Sequence, residues 1–186
     1  MEADWEFEVG GDAPVIDAFW QGFVDLRLAP ERVRDLPEAA QFPALATVLK
    51  RLNFQSSPVW TSKCDFWPCL EPDEFDRDEL DAPSGCSAHA MGSYVDLLPK
   101  TDRAWSLPHL AEDACKHLCS LLGPVPLRCC RVDLIVRRAL IAPGRRDMGI
   151  TAYITACGPT PAEAARTLET ALAAFAHALF PDSTLQ

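Results

Sequence analysis

The residues best suited to chemistry in this chain are two basic-x-Asp pairs, Lys63-Cys64-Asp65 and Arg131-Val132-Asp133. Each lies in a run of strand-like alternation, so the basic and acidic side chains of a pair project from one face. On the first run that face reads Thr61, Lys63, Asp65 and Trp67; on the second it reads Cys129, Arg131, Asp133, Ile135 and Arg137. The neighbouring run Gly149–Cys157 adds Thr151, Tyr153, Thr155 and Cys157. The candidate ligand-binding set is therefore Lys63, Asp65, Trp67, Arg131, Asp133, Arg137, Tyr153 and Thr155, a polar and aromatic groove suited to a polar or cationic ligand. Ordinary cross-strand charge pairs on a solvated sheet face account for the same residues.

Other chemistries find less support. Cys64, Cys69, Cys86 and His89 supply enough soft ligands for a metal, but their spacing is looser than the paired short loops of structural zinc sites. Cys64 also falls on the apolar side of its strand, where a free cysteine packs as a small hydrophobe. A nucleophile could be drawn from Cys157 or Cys129 with His89 or His109 as base, yet no local motif links them. No catalytic set is assigned. Gly10-Gly11 lacks the spacing and the lysine of a phosphate loop. The acidic run Glu71–Asp81 lacks the glycine and glutamate register of a calcium loop. No cofactor is implied.

The elements that must position these residues form a faint internal echo. A helix-like run, Phe42–Leu52, leads into Pro58–Trp67 and then Gly92–Leu98; His109–Leu122 leads into Pro126–Ile135 and then Gly149–Thr155. Pro58 aligns with Pro126, Lys63 with Arg131, and Asp65 with Asp133. The expectation is one α+β domain over residues 1–186, with pseudo-repeats at about 42–98 and 109–157 and a capping helix at 161–180. Its sheet should be mainly antiparallel, with helices packed on one face and the other face open. Trp5–Val9 alternates like a half-buried strand. Val15–Leu28 fits a short helix running into a strand, and Ala29–Pro37 a polar connector. Ser106 is a plausible N-cap for the helix that ends at Gly123-Pro124. Pro68–Gly85 is an acidic insertion relative to the second copy and reads as a solvated loop. Thr160, Pro161 and Glu163 spell a capping box, and Ala165, Leu168, Leu172, Phe175 and Leu179 give the following helix a packed stripe.

Composition bounds the function. At 186 residues with 48% hydrophobic and 24% charged residues, the chain is of ordinary globular make-up. A formal net charge of −10 argues against nucleic acid as partner and against docking on anionic lipid. No secretory signal or membrane-length apolar run is visible, which makes a cytoplasmic location and reduced cysteines the expectation. The leading functional reading is a non-enzymatic binding module for a small polar or cationic ligand or a basic protein partner. One alternative is an enzyme of unrecognised type using Cys157, Tyr153, Asp133 or Asp65. Another is an oligomeric structural role, with a homodimer joined through the open sheet face.

Overall fold

The computed structural model describes residues 1–8, 10, 13–18, 20–70, 75–82, 89–101 and 104–180. Among the described residues, six strands and four α-helices follow one another as β1 (Glu2–Phe7), β2 (Ile16–Asp17), a 3-10 turn at Pro30–Asp35, α1 (Pro37–Gln41), α2 (Pro43–Asn53), β3 (Val59–Cys69), β4 (His89–Pro99), α3 (Pro108–Leu122), β5 (Cys130–Ala142), β6 (Arg145–Gly158) and α4 (Pro161–Leu179). The strands form one mixed sheet in the order β1-β5-β6-β4-β3, with the short β2 also on β5. The hairpins β3–β4 and β5–β6 and the central β4–β6 pair are antiparallel. β1 and β2 run parallel to β5, so the sheet is α+β and mixed rather than wholly antiparallel.

Strand periodicity sorts the side chains into two layers. Val132, Leu134 and Val136 of β5 and Ile150, Ala152 and Ile154 of β6 are fully buried. They join Leu45, Leu49 and Leu52 of α2, Ala111, Cys115 and Leu122 of α3, and Leu168, Leu172 and Phe175 of α4 in one core. Three helices thus cover the same side of the sheet. Among the described residues no helix is long and apolar enough to cross a membrane.

The opposite side is narrower than alternation alone implies, because its two ends are covered. At one end Ile16, Ala18 and the partly buried Phe23 pack on Trp60, Leu98, Ala139 and Ile141. At the other, Leu80, Phe75 and Ala82 pack on Ala90, Cys157 and Cys69. Two expectations change accordingly. Val15–Leu28 is not a short helix running into a strand; after β2 its described residues form turns, with Ile16, Ala18 and Phe23 in the first satellite cluster and Val24 and Leu26 on the main core. Nor is Phe75–Ala82 a purely solvated loop, since Leu80 is 3% exposed. The polar connector contains the 3-10 turn, with Val33 buried.

Local boundaries have simple causes. Leu107, not Ser106, occupies the N-cap of α3, because Pro108 takes the first helical position. Cys129 precedes β5 with a positive φ of 62°, which ends the extended run read from Leu127. Helix α4 starts as its sequence dictates: the Glu163 N–H donates to Thr160 Oγ1 at 3.2 Å, and the Thr160 hydroxyl donates to Glu163 Oε2 at 2.9 Å. Replacing Thr160 with alanine removes the side-chain acceptor of that N–H and leaves it only the Thr160 carbonyl at 3.0 Å. The expected loss is about 1 kcal/mol, read as a lower urea midpoint with an unchanged slope.

Candidate functional site

The middle of the uncovered face is built by register. Asp65 of β3 lies opposite Tyr94 of β4, and Tyr94 lies opposite Tyr153 of β6. Tyr153 lies opposite Asp133 of β5, which neighbours Asp4 of β1. A row Asp65–Tyr94–Tyr153–Asp133–Asp4 therefore crosses five strands. The two tyrosine rings meet at 5.8 Å between centroids, and Trp67 reaches Tyr94 at 6.4 Å. Gly92 fixes Trp67: a Cβ there would come within 2.6 Å of the indole, so only glycine lets the ring lie across the strand.

On the β1–β5 side, one cation holds several acids. The Arg131 guanidinium lies 2.6 Å from Asp133, 3.4 Å from Glu2, 3.4 Å from Glu79 and 3.9 Å from Asp4. One positive charge cannot neutralise four negative ones. Burial raises the Asp133 carboxyl above its ordinary range, with Asp4 and Glu2 pushing the same way and Arg131 pulling against them. A hollow of about 370 Å³ opens here, lined by Asp4, Glu6, Glu79, Asp133 and Tyr153 among others. Through Glu79, Arg131 also ties the described part of the insertion to the sheet.

A second network stands beside the tyrosines. Arg137 pairs with Glu8 at 2.5 Å and donates to Thr151 Oγ1 at 3.1 Å and to the Tyr153 hydroxyl at 3.4 Å. Its guanidinium carbon sits 5.7 Å from the Tyr153 ring centroid. The Thr151 hydroxyl in turn donates to Asp96 at 2.6 Å. Asp96 is only 6% exposed. Burial raises its carboxyl pKa, opposed by the Thr151 hydrogen bond and the charges of Arg137 and Lys63. Burial, with Asp96 and Asp65 nearby, likewise pushes the Tyr94 phenol up to about 12.

On β3 a bulge intervenes. The register shifts between Thr61 and Cys64, so Ser62 and Lys63 together oppose Asp96. Thr61 thereby turns to the helix side, where its hydroxyl accepts from Asn53 at 2.7 Å and its N–H donates to Asn53 at 3.1 Å. The expectation that Thr61 shares a face with Asp65 is corrected by this extra residue. Lys63 makes no ion pair with Asp65; its ammonium lies 5.7 Å from the Trp20 ring. A hollow of about 350 Å³ at this edge is lined by Trp20, Lys63, Asp65 and Tyr94 together with core residues. No known protein family, curated protein or solved structure matches the chain.

The sequence-derived set is thus spread along one trough, with Trp67, Asp65 and Lys63 on β3 and Arg131, Asp133 and Arg137 on β5. Tyr153 and Thr155 stand between them on β6. Sequence reasoning passed over Tyr94, Asp96 and the acids of β1, although Gly92-x-Tyr94-x-Asp96 alternates in the same way and Glu2-x-Asp4-x-Glu6 does too. Glu79 carried no local signal. The sulfur-ligand grouping is not assembled: Cys64 packs on the helix side and Cys69 on the other, while Cys86 lies outside the described residues. Among the described residues no group of three or more His, Cys, Asp or Glu side chains could hold a metal ion. Cys157 is fully buried, and burial pushes its thiol up to about 11.

The raised carboxyl of Asp96 gives a signed pH effect. A folded-state pKa above the unfolded one means the native state binds more protons in the window between them, so stability falls as pH rises through that window. Asp96→Asn mimics the protonated form. It should raise the melting temperature at neutral pH and flatten the dependence between the ordinary carboxylate range and neutrality. Thermal melts against pH would show this, and a variant less stable at neutral pH would contradict it.

Proposed function

We propose that this protein is a non-enzymatic binding module whose central sheet trough docks a basic protein partner. The observation that carries the reading is the charge of the trough. β1 contributes Glu2, Asp4 and Glu6, and Asp65, Asp96, Asp133 and Glu79 join them, against Lys63, Arg131 and Arg137. A field of that sign draws cationic groups and repels anions, and the trough's low-dielectric aromatic floor strengthens it. The net charge of −10 supports capture of a basic partner at long range.

The same charge weighs against self-association through this face, since two copies would bring like charges together. For an enzyme using Cys157, the buried, raised thiol is the wrong environment, because nucleophilic cysteines sit where the thiolate is favoured. A small cationic ligand in place of a protein remains the second reading, favoured by the open hollow of about 370 Å³ beside Tyr153.

The reading also takes α2–β3–β4 and α3–β5–β6 as copies of one ancestral unit. The hairpin registers support this, because they make Asp65–Tyr94 and Asp133–Tyr153 equivalent pairs. On that equivalence Tyr94 matches Tyr153, two residues from the alignment of Gly92 with Gly149.

The test is binding of an oligolysine peptide at low and moderate salt. Binding should weaken with salt and fall at least about tenfold in the double variant Asp4→Lys, Glu6→Lys. Asp113→Lys with Glu169→Lys changes the net charge equally on exposed helix positions. That control should lose much less; equal losses would mean that overall charge, not this face, drives the binding.

A further inference from the structure

The covered end of the same sheet face holds a precedent for how the trough could recognise a cation. The Arg27 guanidinium lies 3.7 Å above the Trp60 ring centroid while Asp25 grips it from the side, at 2.8 Å to Nε and 2.6 Å to Nη2. That grip holds the Asp25 carboxyl below its ordinary range. A planar guanidinium on an aromatic face with a forked carboxylate is the arrangement arginine favours over lysine. Arg137 repeats part of it on Tyr153, with Glu8 as the acid.

One further carboxylate–aromatic corner of the trough holds no guanidinium among the described residues. Asp65 is exposed and forms no ion pair among the described residues, in contrast to Asp133, which Arg131 holds at 2.6 Å. Beside it stand Trp67, pinned across Gly92, and Tyr94, whose rings are 6.4 Å apart. Lys63 is the only cation of the same strand nearby, and it is turned to Trp20. Position, aromatic surface and unpaired acid converge on one spot at the edge of the hollow lined by Asp65 and Tyr94.

We infer that Asp65, Trp67 and Tyr94 form a seat for a single arginine side chain of the basic partner. The guanidinium stacks on Trp67 or Tyr94 and donates to the Asp65 carboxylate, while the acids of β1 and β5 engage the rest of the partner's charge. This inference rests on the binding-module reading and adds its anchor: the partner presents arginine, not merely positive charge. Negative potential at the corner agrees with it, since the nearby carboxylates help push the Tyr94 phenol upward.

The experiment compares oligo-arginine and oligolysine peptides of equal length, titrated calorimetrically into the wild-type protein, Asp65→Asn and Trp67→Leu. Circular dichroism confirms each fold; Asp65 is exposed, so Asp65→Asn keeps the test alive if Trp67→Leu unfolds. The wild type should prefer oligo-arginine by about tenfold, and each variant should erase most of that preference, lowering oligo-arginine binding several-fold more than oligolysine binding, which in Asp65→Asn falls only by the modest loss of one trough charge. Equal wild-type affinities, or a preference that survives both variants, would overturn the seat. If binding in that case still collapses in Asp4→Lys, Glu6→Lys, the docking face stands without its anchor. If neither peptide binds at low salt, both readings fail together.

Discussion

The layout of the polar side of the sheet depends on the antiparallel register of the two central strands, β4 and β6. Pairing Tyr94 with Tyr153 sets which residues of both hairpins stand in line. Because side chains alternate with a period of two, a slip of one residue would send Tyr94 and Asp96 into the helical layer and bring Val95 and Leu97 to solvent. The core prevents the slip. Val95, Leu97, Ala152 and Ile154 are wholly buried against three helices. The apolar layer thus determines the geometry of the polar one.

That polar layer is confined by two short covers. Ile16 and Phe23 close one end and Leu80 closes the other, so the aromatic and charged residues occupy a bounded strip. Within it, the few cations act as organisers of acids. Arg131 gathers Glu2, Asp4, Glu79 and Asp133, and Arg137 links Glu8 to Thr151 and thence to Asp96. Each such cluster keeps a surplus of negative charge in fixed positions, so the field of the strip is negative and preorganised.

How much of this could be read from residues alone follows from how local each signal is. The faces of β5 and β6 were legible because their alternation runs uninterrupted, from Cys130 to Val136 and from Ile150 to Ala156. The start of α4 was legible because a capping box is complete within four residues. Thr61 was misplaced because a bulge is a property of two paired strands, and one strand's sequence carries no mark of the extra residue. The parallel pairing of β1 and the role of Val15–Leu28 were hidden for a similar reason: β1 and β2 pair with a strand more than a hundred residues away, and Phe23 packs on Trp60 of another strand. In the acidic insertion, Leu80 was outweighed by its charged neighbours, and only its contact with Ala90 and Cys157 reveals it as a buried anchor.

The bulge at Ser62 and Lys63 has a consequence beyond the direction of Thr61. β3 is a border strand of eleven residues, and a long, regular border is a template on which another chain can add its own strand. The extra residue breaks the spacing of the outward backbone groups, and Asn53 occupies the N–H of Thr61. Lys63 adds a charge beside the break, and Pro68 offers no N–H near the far end. The same irregularity that frees Lys63 from Asp65 therefore guards the sheet against growing sideways into aggregates.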